Sequence, residues 1–287
     1  MKTFLVSALA FLTFSASAFA QTDSITVVRT KWSKERVAPG IKLRTAHFDQ
    51  NLFSSNQNIS IVEIKQRKRN QIKVGFEPKE LIKTSEFGKR ENAIAAINGT
   101  FFDVKNGGSV DFIKAEGKVI SENRLNKNNS RAMHQKAAVA ISNGKATIKQ
   151  WNGQENWEST LAGEDIMLSG PLMIHAGKSV ALDPTPFVKL RHPRSAMATK
   201  KNKIYFITVD GRSPQAAGMS LTELSSVLKW MKFTSAINLD GGGSTTLWIN
   251  SMLENGVVNY PSDNKKWDHQ GERKVANVLL VKKRSRR

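Results

Sequence analysis

The segment Ile237-Asn238-Leu239-Asp240-Gly241-Gly242-Gly243-Ser244-Thr245-Thr246 concentrates groups that could do chemistry. An apolar strand would deliver Asn238 and Asp240 to one side of a sheet, two residues apart. Three glycines then let backbone N–H groups approach a ligand closely, and successive N–H groups in such a turn form an anion-binding nest. Ser244 and Thr245 add hydroxyl donors. A plain hairpin needs one or two glycines, and a third costs conformational entropy without return. The pattern therefore points to a phosphate- or carboxylate-binding loop with a carboxylate at its entrance.

Three other segments place polar residues at the ends of apolar runs: Ile97-Asn98-Gly99-Thr100-Phe101-Phe102-Asp103, His192-Pro193-Arg194-Ser195-Ala196 and Val209-Asp210-Gly211-Arg212-Ser213. The planar forks of Arg194 and Arg212 suit two oxygens of one anion. Taken singly, each could equally pair with an acidic side chain. Asp210 is a second candidate carboxylate or an ordinary Asp-Gly turn residue. Glu223 is a third candidate, ranked lower because helix capping already explains it. His134 and His175 have no zinc-spaced partner and read as structural. There are no cysteines, which removes thiolate metal sites, disulfides and cysteine nucleophiles. No cofactor or metal cluster is evident, although a structural calcium on loop carboxylates and carbonyls is compatible with the composition.

The elements that would hold these residues are mostly strands. Ile25–Arg29, Ile41–Phe48, Ile59–Lys65, Gln71–Phe76, Ala137–Ile141 and Ile204–Val209 alternate or are rich in β-branched residues. Asn143-Gly144 between two such runs is a hairpin signal. Leu221, Leu224, Leu228 and Met231 fall on one helical face over Leu221–Met231, and Ser220 with Glu223 gives the capping pattern at its start. A shorter helix is expected near Ser85–Asn92. The irregular alternation predicts an α+β fold, a single domain with a strand-rich mixed sheet and a few helices. Strand–Asn–Gly occurs twice, at Ala95–Gly99 and at Ser235–Gly241; shared turn chemistry is a simpler reading than a duplicated half.

The chain has 287 residues, 39% of them hydrophobic and 24% charged, a mix that excludes a disordered chain and a membrane bundle. Lys2, the apolar run Phe4 to Phe14 and Ala18-Phe19-Ala20 read as a signal peptide over 1–20, cleaved before Gln21. The run is too short to span a bilayer, so no transmembrane segment is expected. The mature chain should be secreted or periplasmic. Net charge is +20. Basic clusters at Lys65, Arg67, Lys68, Arg69 and Lys73, and in a tail over 282–287, suggest an anionic partner or a solvated surface. Export and the lack of interleaved aromatics argue against nucleic acid.

Taken together, Asn98–Phe102, His192–Ala196, Asp210–Arg212 and Asn238–Thr246 resemble the phosphodiester glycosidase family. Gly218–Leu224 resembles the family's entry to the helix before its glycine loop, and Arg273-Lys274-Val275-Ala276-Asn277 its late Arg–Asn segment. The resemblance runs from about Glu91 to Val281, which organises the chain as a strand-rich segment 21–77 followed by a glycosidase-like domain 78–281. It implies hydrolysis of the glycosidic C–O bond of a sugar-1-phosphodiester or phosphoglycan. A phosphodiester departs as a weakly basic anion, so charge stabilisation should matter more than acid assistance. That implies Arg194, Arg212 and Gly241–Gly243 on the phosphate and Asn98 and Asn238 on sugar hydroxyls, with Ser244, Thr245, Arg273 and Asn277 completing the site. Asp240 would be nucleophile or base, with Asp210 and Glu223 behind it. A P–O-cleaving phosphodiesterase and a non-catalytic binder of anionic glycans are the alternatives.

Overall fold

A computed structural model describes residues 22–67 and 69–284. The expected signal peptide lies outside the described residues. The largest sheet has eight strands in the spatial order Ser33–Ala38, Ile41–Leu52, Ser55–Lys65, Lys203–Val209, Arg194–Lys200, Ser235–Asn238, Leu172–His175 and Lys178–Ser179. A four-stranded sheet runs Leu247–Ile249, Ala95–Asn98, Asn277–Lys283, Asn70–Phe76, and a five-stranded sheet is built around Ala137–Ser142 and Asp165–Ser169. The strands pair antiparallel among the described residues, a narrower outcome than the mixed sheet expected.

Both faces of the large sheet are covered. Leu43, Val62, Met197, Phe206 and Ile237 face the smaller sheets, while Ala46, Ile61, Ala198, Ile207 and Ala236 pack against the helix Leu221–Trp230. This is why Ile59 and Ile61 on one face and Val62 and Ile64 on the other are all fully buried in a single strand. The segment before residue 78 is part of this architecture, since Ile59 to Lys65 pair with the whole of Lys203–Val209.

Local signals account for several elements. Ser220 Oγ accepts from Glu223 N at 3.1 Å, and Glu223 Oε2 accepts from Ser220 N at 2.9 Å, closing the capping box. Asn143 and Gly144 both adopt positive φ in the hairpin joining Ala137–Ser142 to Lys145–Gln150. Residues 22–29 form a helix, not the strand expected from Ile25–Arg29. Only Val27 of that segment enters the core, while Ile25 and Val28 stay exposed, so there is no period-two buried face to hold a strand. The helix also places the Asp23 carboxylate where it accepts from Phe53 N at 2.9 Å.

The helix Thr84–Arg90 feeds the strand Ala95–Asn98 and lies against Trp248, with Gly88 beneath the indole. Gly88→Ala would gain about 1 kcal/mol of helix propensity. The new methyl would enter a ring held by the bond from Trp248 Nε1 to Asn255 O, and overpacking costs about 1–3 kcal/mol. Net destabilisation is therefore expected in chemical denaturation; a more stable variant would show that the indole can move aside.

Candidate active site

The strands Ala95–Asn98, Arg194–Lys200, Lys203–Val209 and Ser235–Asn238 deliver four of the sequence-predicted segments to one place. Asp240 N donates to Gly99 O at 2.9 Å, Leu239 N to Ser195 O at 2.9 Å, and Gly242 N to Pro193 O at 2.8 Å. Asn98 joins the pieces. Its Nδ2 donates to Asp240 O at 2.6 Å, and its Oδ1 accepts from Ser195 Oγ at 2.7 Å and from Thr246 N at 3.1 Å. With its amide spent this way and the residue fully buried, Asn98 shapes the loop from behind.

The glycine loop is narrow for a physical reason. A Cβ on Gly241 would stand 2.7 Å from Pro193 O, and one on Gly243 would collide with Arg273 and Asp263. Gly242 adopts φ +61° directly under the Arg212 guanidinium, whose Nη2 would lie 3.1 Å from an added Cβ. Gly242–Ser244 form a short 3-10 turn, and Ser244, Thr245 and Thr246 are buried behind it.

The cations differ in role. Arg194 is 1% exposed and donates from Nε to Met219 O and from Nη2 to Phe187 O and Leu190 O, with its guanidinium over the Phe187 ring. Its fork is largely spent on the protein, a geometry unlike the open clamp expected. Arg212 is exposed, at φ +62°, and has no ion-pair partner among the described residues. Burial first, then the charge of Arg212, lowers Arg194 to about 10, and desolvation and both arginines lower His192. Arg273 is bound to Asp263 at 2.6 Å beside Gly243.

The carboxylates separate by their partners. Asp210 is 1% exposed and accepts from Asn58 Nδ2 at 2.7 Å, Asn259 Nδ2 at 2.9 Å and Tyr260 N at 2.9 Å. Asp240 keeps some exposure, and its Oδ1 accepts from Gly241 N at 2.9 Å. Burial raises both to about 6; the Ser244 hydroxyl, the Gly241 amide and the Arg273 charge hold Asp240 back. Glu223 accepts the bidentate fork of Arg191 in addition to capping its helix.

One unit escaped the sequence reading. His134 Nδ1 lies 2.8 Å from Asp111 Oδ1, and Asp111, fully buried, also accepts from Thr100 Oγ1 at 2.7 Å and Gln135 Nε2 at 3.2 Å. Thr100 follows the residue that bonds Asp240, and the Asp111 charge adds to the upward push on Asp240. The His134 ring stacks on Phe101 at 4.4 Å. His134 therefore has a partner, supplied 23 residues away by a loop fold that no spacing rule describes. A second aromatic block, Trp267 on Tyr260 at 4.0 Å and His269 on Tyr260 at 4.3 Å, adjoins Asp210.

Asn238 Nδ2 donates to Gly170 O and Leu239 O, and Asn277 Oδ1 accepts from Thr100 N. Their other amide atoms, Asn238 Oδ1 and Asn277 Nδ2, have no partner within the protein, nor do Thr245 Oγ1 and Thr246 Oγ1. Four buried orphans on segments that meet at one loop are unusual in a structure optimised only for stability. Among the described residues no group of three or more His, Asp or Glu converges as a metal site would require.

Stability should separate the two aspartates. Asp210→Ala orphans three donors, each at about 1–3 kcal/mol, which outweighs relief of the buried charge. A loss of at least about 2 kcal/mol is expected. Asp240→Ala strands one amide at a partly open site and should leave the melting temperature nearly unchanged. Equal losses would refute the distinction.

Known proteins were compared with this chain. The phosphodiester glycosidase family profile matches residues 91–282. N-acetylglucosamine-1-phosphodiester alpha-N-acetylglucosaminidase of Mus musculus is 25% identical over 205 residues, 65% of this chain and 37% of that protein. The Homo sapiens enzyme of the same name is 29% identical over 127 residues, 40% of this chain and 23% of that protein. The chain thus spans well under half the length of these relatives. The zebrafish catalytic domain of that enzyme, solved auto-inhibited by its pro-peptide, superposes with a TM-score of 0.65 at 21% identity, covering 89% of this chain and 87% of that one. A putative exported protein from Burkholderia pseudomallei gives 0.57 at 14% identity, covering 80% and 75%. The fold is shared over more of the chain than the family profile reaches. With two thirds of its length matched by the profile and the glycine loop inside the match, the chain belongs to the phosphodiester glycosidase family.

Proposed function

We propose that this chain is an exported hydrolase that cleaves the glycosidic C–O bond of a sugar-1-phosphodiester. The observation that carries the proposal is a single juxtaposition: a carboxylate raised to about 6 at the entrance of a glycine loop whose Gly242 lies under Arg212, an arginine with no acidic partner among the described residues. The Gly241–Gly243 amides and Arg212 receive the phosphate, with Arg273 beside them. Arg194 acts from behind as a buried charge that fixes Pro193 and the loop resting on it. Asn98 likewise positions Asp240, and Asn238, Asn277, Ser244 and Thr245, all fully buried, form the floor beneath the loop and shape it. Asp210 and Glu223 support the architecture.

Bond cleavage follows from these roles. Asp240 attacks the anomeric carbon to form a glycosyl ester that water then cleaves at C1, or draws the proton from a water that attacks directly. The electrons of the C1–O bond leave with the phosphate monoester, which needs no proton at neutral pH because the loop amides and Arg212 stabilise its charge. His134, aimed by Asp111, is the second proton carrier and relays the proton released from water. Export rests on the leader over 1–20, and among the described residues no helix is long and apolar enough to cross a membrane.

Asp240 must be ionised to serve as nucleophile or base. Its raised value means the active form is lost as pH falls through about 6, so kcat/KM should fall about tenfold per pH unit below that point. On a synthetic sugar-1-phosphodiester, Asp240→Asn should lower turnover at least ~100-fold with folding intact. Near-normal turnover would remove Asp240 from the mechanism. Arg212→Lys keeps the charge but loses the fork and should raise KM by about tenfold or more, consistent with about 1.5–3 kcal/mol for a charge-assisted bond; an unchanged KM would place the phosphate elsewhere. Mass spectrometry of exported protein should give an N-terminus at Gln21, and one at Met1 would contradict export by this leader.

A further inference from the structure

At the end of the large sheet opposite Asp210, like charges face one another across the strands. Lys34 pairs with Arg44 and Arg36 with Lys42 in the edge hairpin. Lys200 pairs with Lys203, and Lys203 with Lys65. Strand alternation puts all seven cations on the same face. Directly opposed like charges destabilise a sheet, and one carboxylate answers them there: Glu63 accepts Lys203 Nζ at 2.5 Å and lies 4.0 Å from Arg44. Glu35 alternates onto the other face. Keeping an edge strand from pairing with another chain takes one or two lysines, so edge protection does not account for four repulsive pairs.

Two clefts open beside this array. One, about 750 Å³, is lined by Arg36, Arg67, Arg69 and Lys145 among neutral residues. The other, about 560 Å³, is lined by Lys31, Lys34, Lys200 and Lys232 with Trp32 and Trp230. Neither has a carboxylate in its wall. They meet along the edge strand, where Lys34 enters one and Arg36 the other, two residues or about 7 Å apart. Lys200 is lowered by burial and by the charges of Lys232, Lys201, Arg44 and Lys203, so the array is under electrostatic strain that an anion would relieve. Lys203 begins the strand that ends at Val209, just before Asp210, which puts the clefts roughly 20 Å from Asp210.

We propose that these clefts form a second, non-catalytic site that holds a linear acidic glycan. The chemistry is specific in two ways. Cations at a regular strand spacing fit a polymer with an acid group on each sugar ring, and the walls contributed by Trp32 and Trp230 offer apolar faces to the rings. The two adjoining hollows suit a thread more than a flat lipid surface. The site goes beyond the hydrolase reading and does not depend on it; together they describe an enzyme tethered to an acidic polymer while it acts elsewhere.

The test uses the mature chain and fluorescein-labelled polygalacturonate, which has a carboxylate on every ring and no phosphodiester to cleave. Binding by anisotropy should weaken at least ~10-fold between about 50 and 200 mM NaCl. Replacing Arg36, Arg67 and Arg69 by Gln should weaken it at least ~10-fold, as should replacing Lys34, Lys200 and Lys232 by Gln. Removing three other exposed charges, with Lys105, Lys118 and Lys178 changed to Gln, should change it less than ~3-fold. Turnover of a small sugar phosphodiester should be the same in all three. Equal losses in the control would mean that net charge alone binds and would overturn the site. So would unchanged affinity in the cleft variants, or tight binding to phosphatidylglycerol vesicles without binding to the polymer. None of these results bears on Asp240, so the two proposals fail separately.

Discussion

The site depends on one buried amide. Asn98 ends a strand of the four-stranded sheet, yet its side chain bonds Ser195 at the head of a strand in the eight-stranded sheet and both ends of the glycine loop, at Asp240 O and Thr246 N. The two sheets can slide on apolar contacts alone, because such contacts are non-directional. A carboxamide with one donor edge and one acceptor edge has a single arrangement that satisfies all three partners. It therefore fixes the register between sheets and, with it, the position of Asp240 within the tolerance that chemistry requires. Gly99 completes the constraint: a Cβ there would collide with Asn277, so strand and loop close to backbone contact.

Around this clamp, buried charge is used in two ways. Asp210 and Arg194 are saturated by hydrogen bonds and hold loops together. Asp240 and Arg212 are under-committed, with the Gly241 amide and the Ser244 hydroxyl for the first and no acidic partner among the described residues for the second. Both aspartates are raised to about the same value, so titration alone does not tell them apart; the partner count does. The orphan atoms of Asn238, Thr245, Thr246 and Asn277 extend the pattern. Each costs stability in the free protein, and all four lie fully buried beneath the loop that would take the ligand. The strain lies where binding would be, as expected for a preorganised site.

What was legible in the sequence follows what each signal encodes. The glycine loop, the capping box at Ser220 and the Asn143-Gly144 hairpin are local, and backbone stereochemistry reads directly from such runs. That Asn98, Arg194, Asp210 and Asp240 converge was also legible, because each stands at an end of an apolar strand, with Arg194 opening its strand and the others closing or following theirs. Their division of labour was not. Arg194 looks like a phosphate clamp from its type, but the carbonyls it serves come from Phe187, Leu190 and Met219, whose positions only the fold determines. Asp111 and His134 form their pair through loops without periodicity. Residues 22–29 mimic a strand in composition and fold as a helix because one residue, Val27, finds the core. The repulsive pairs at the basic end depend on register, which the sequence does not state.

The central claim is that the bond to the anomeric carbon breaks, with Asp240 directing attack there and the loop holding the departing phosphate. Hydrolysis of a sugar-1-phosphodiester in ¹⁸O-labelled water tests it most directly, with both products read by mass spectrometry. The account predicts that the label enters the anomeric hydroxyl of the released sugar and that the phosphate monoester carries none. Label in the phosphate would mean that the P–O bond breaks, and would turn the loop from a cradle for a leaving group into the seat of attack.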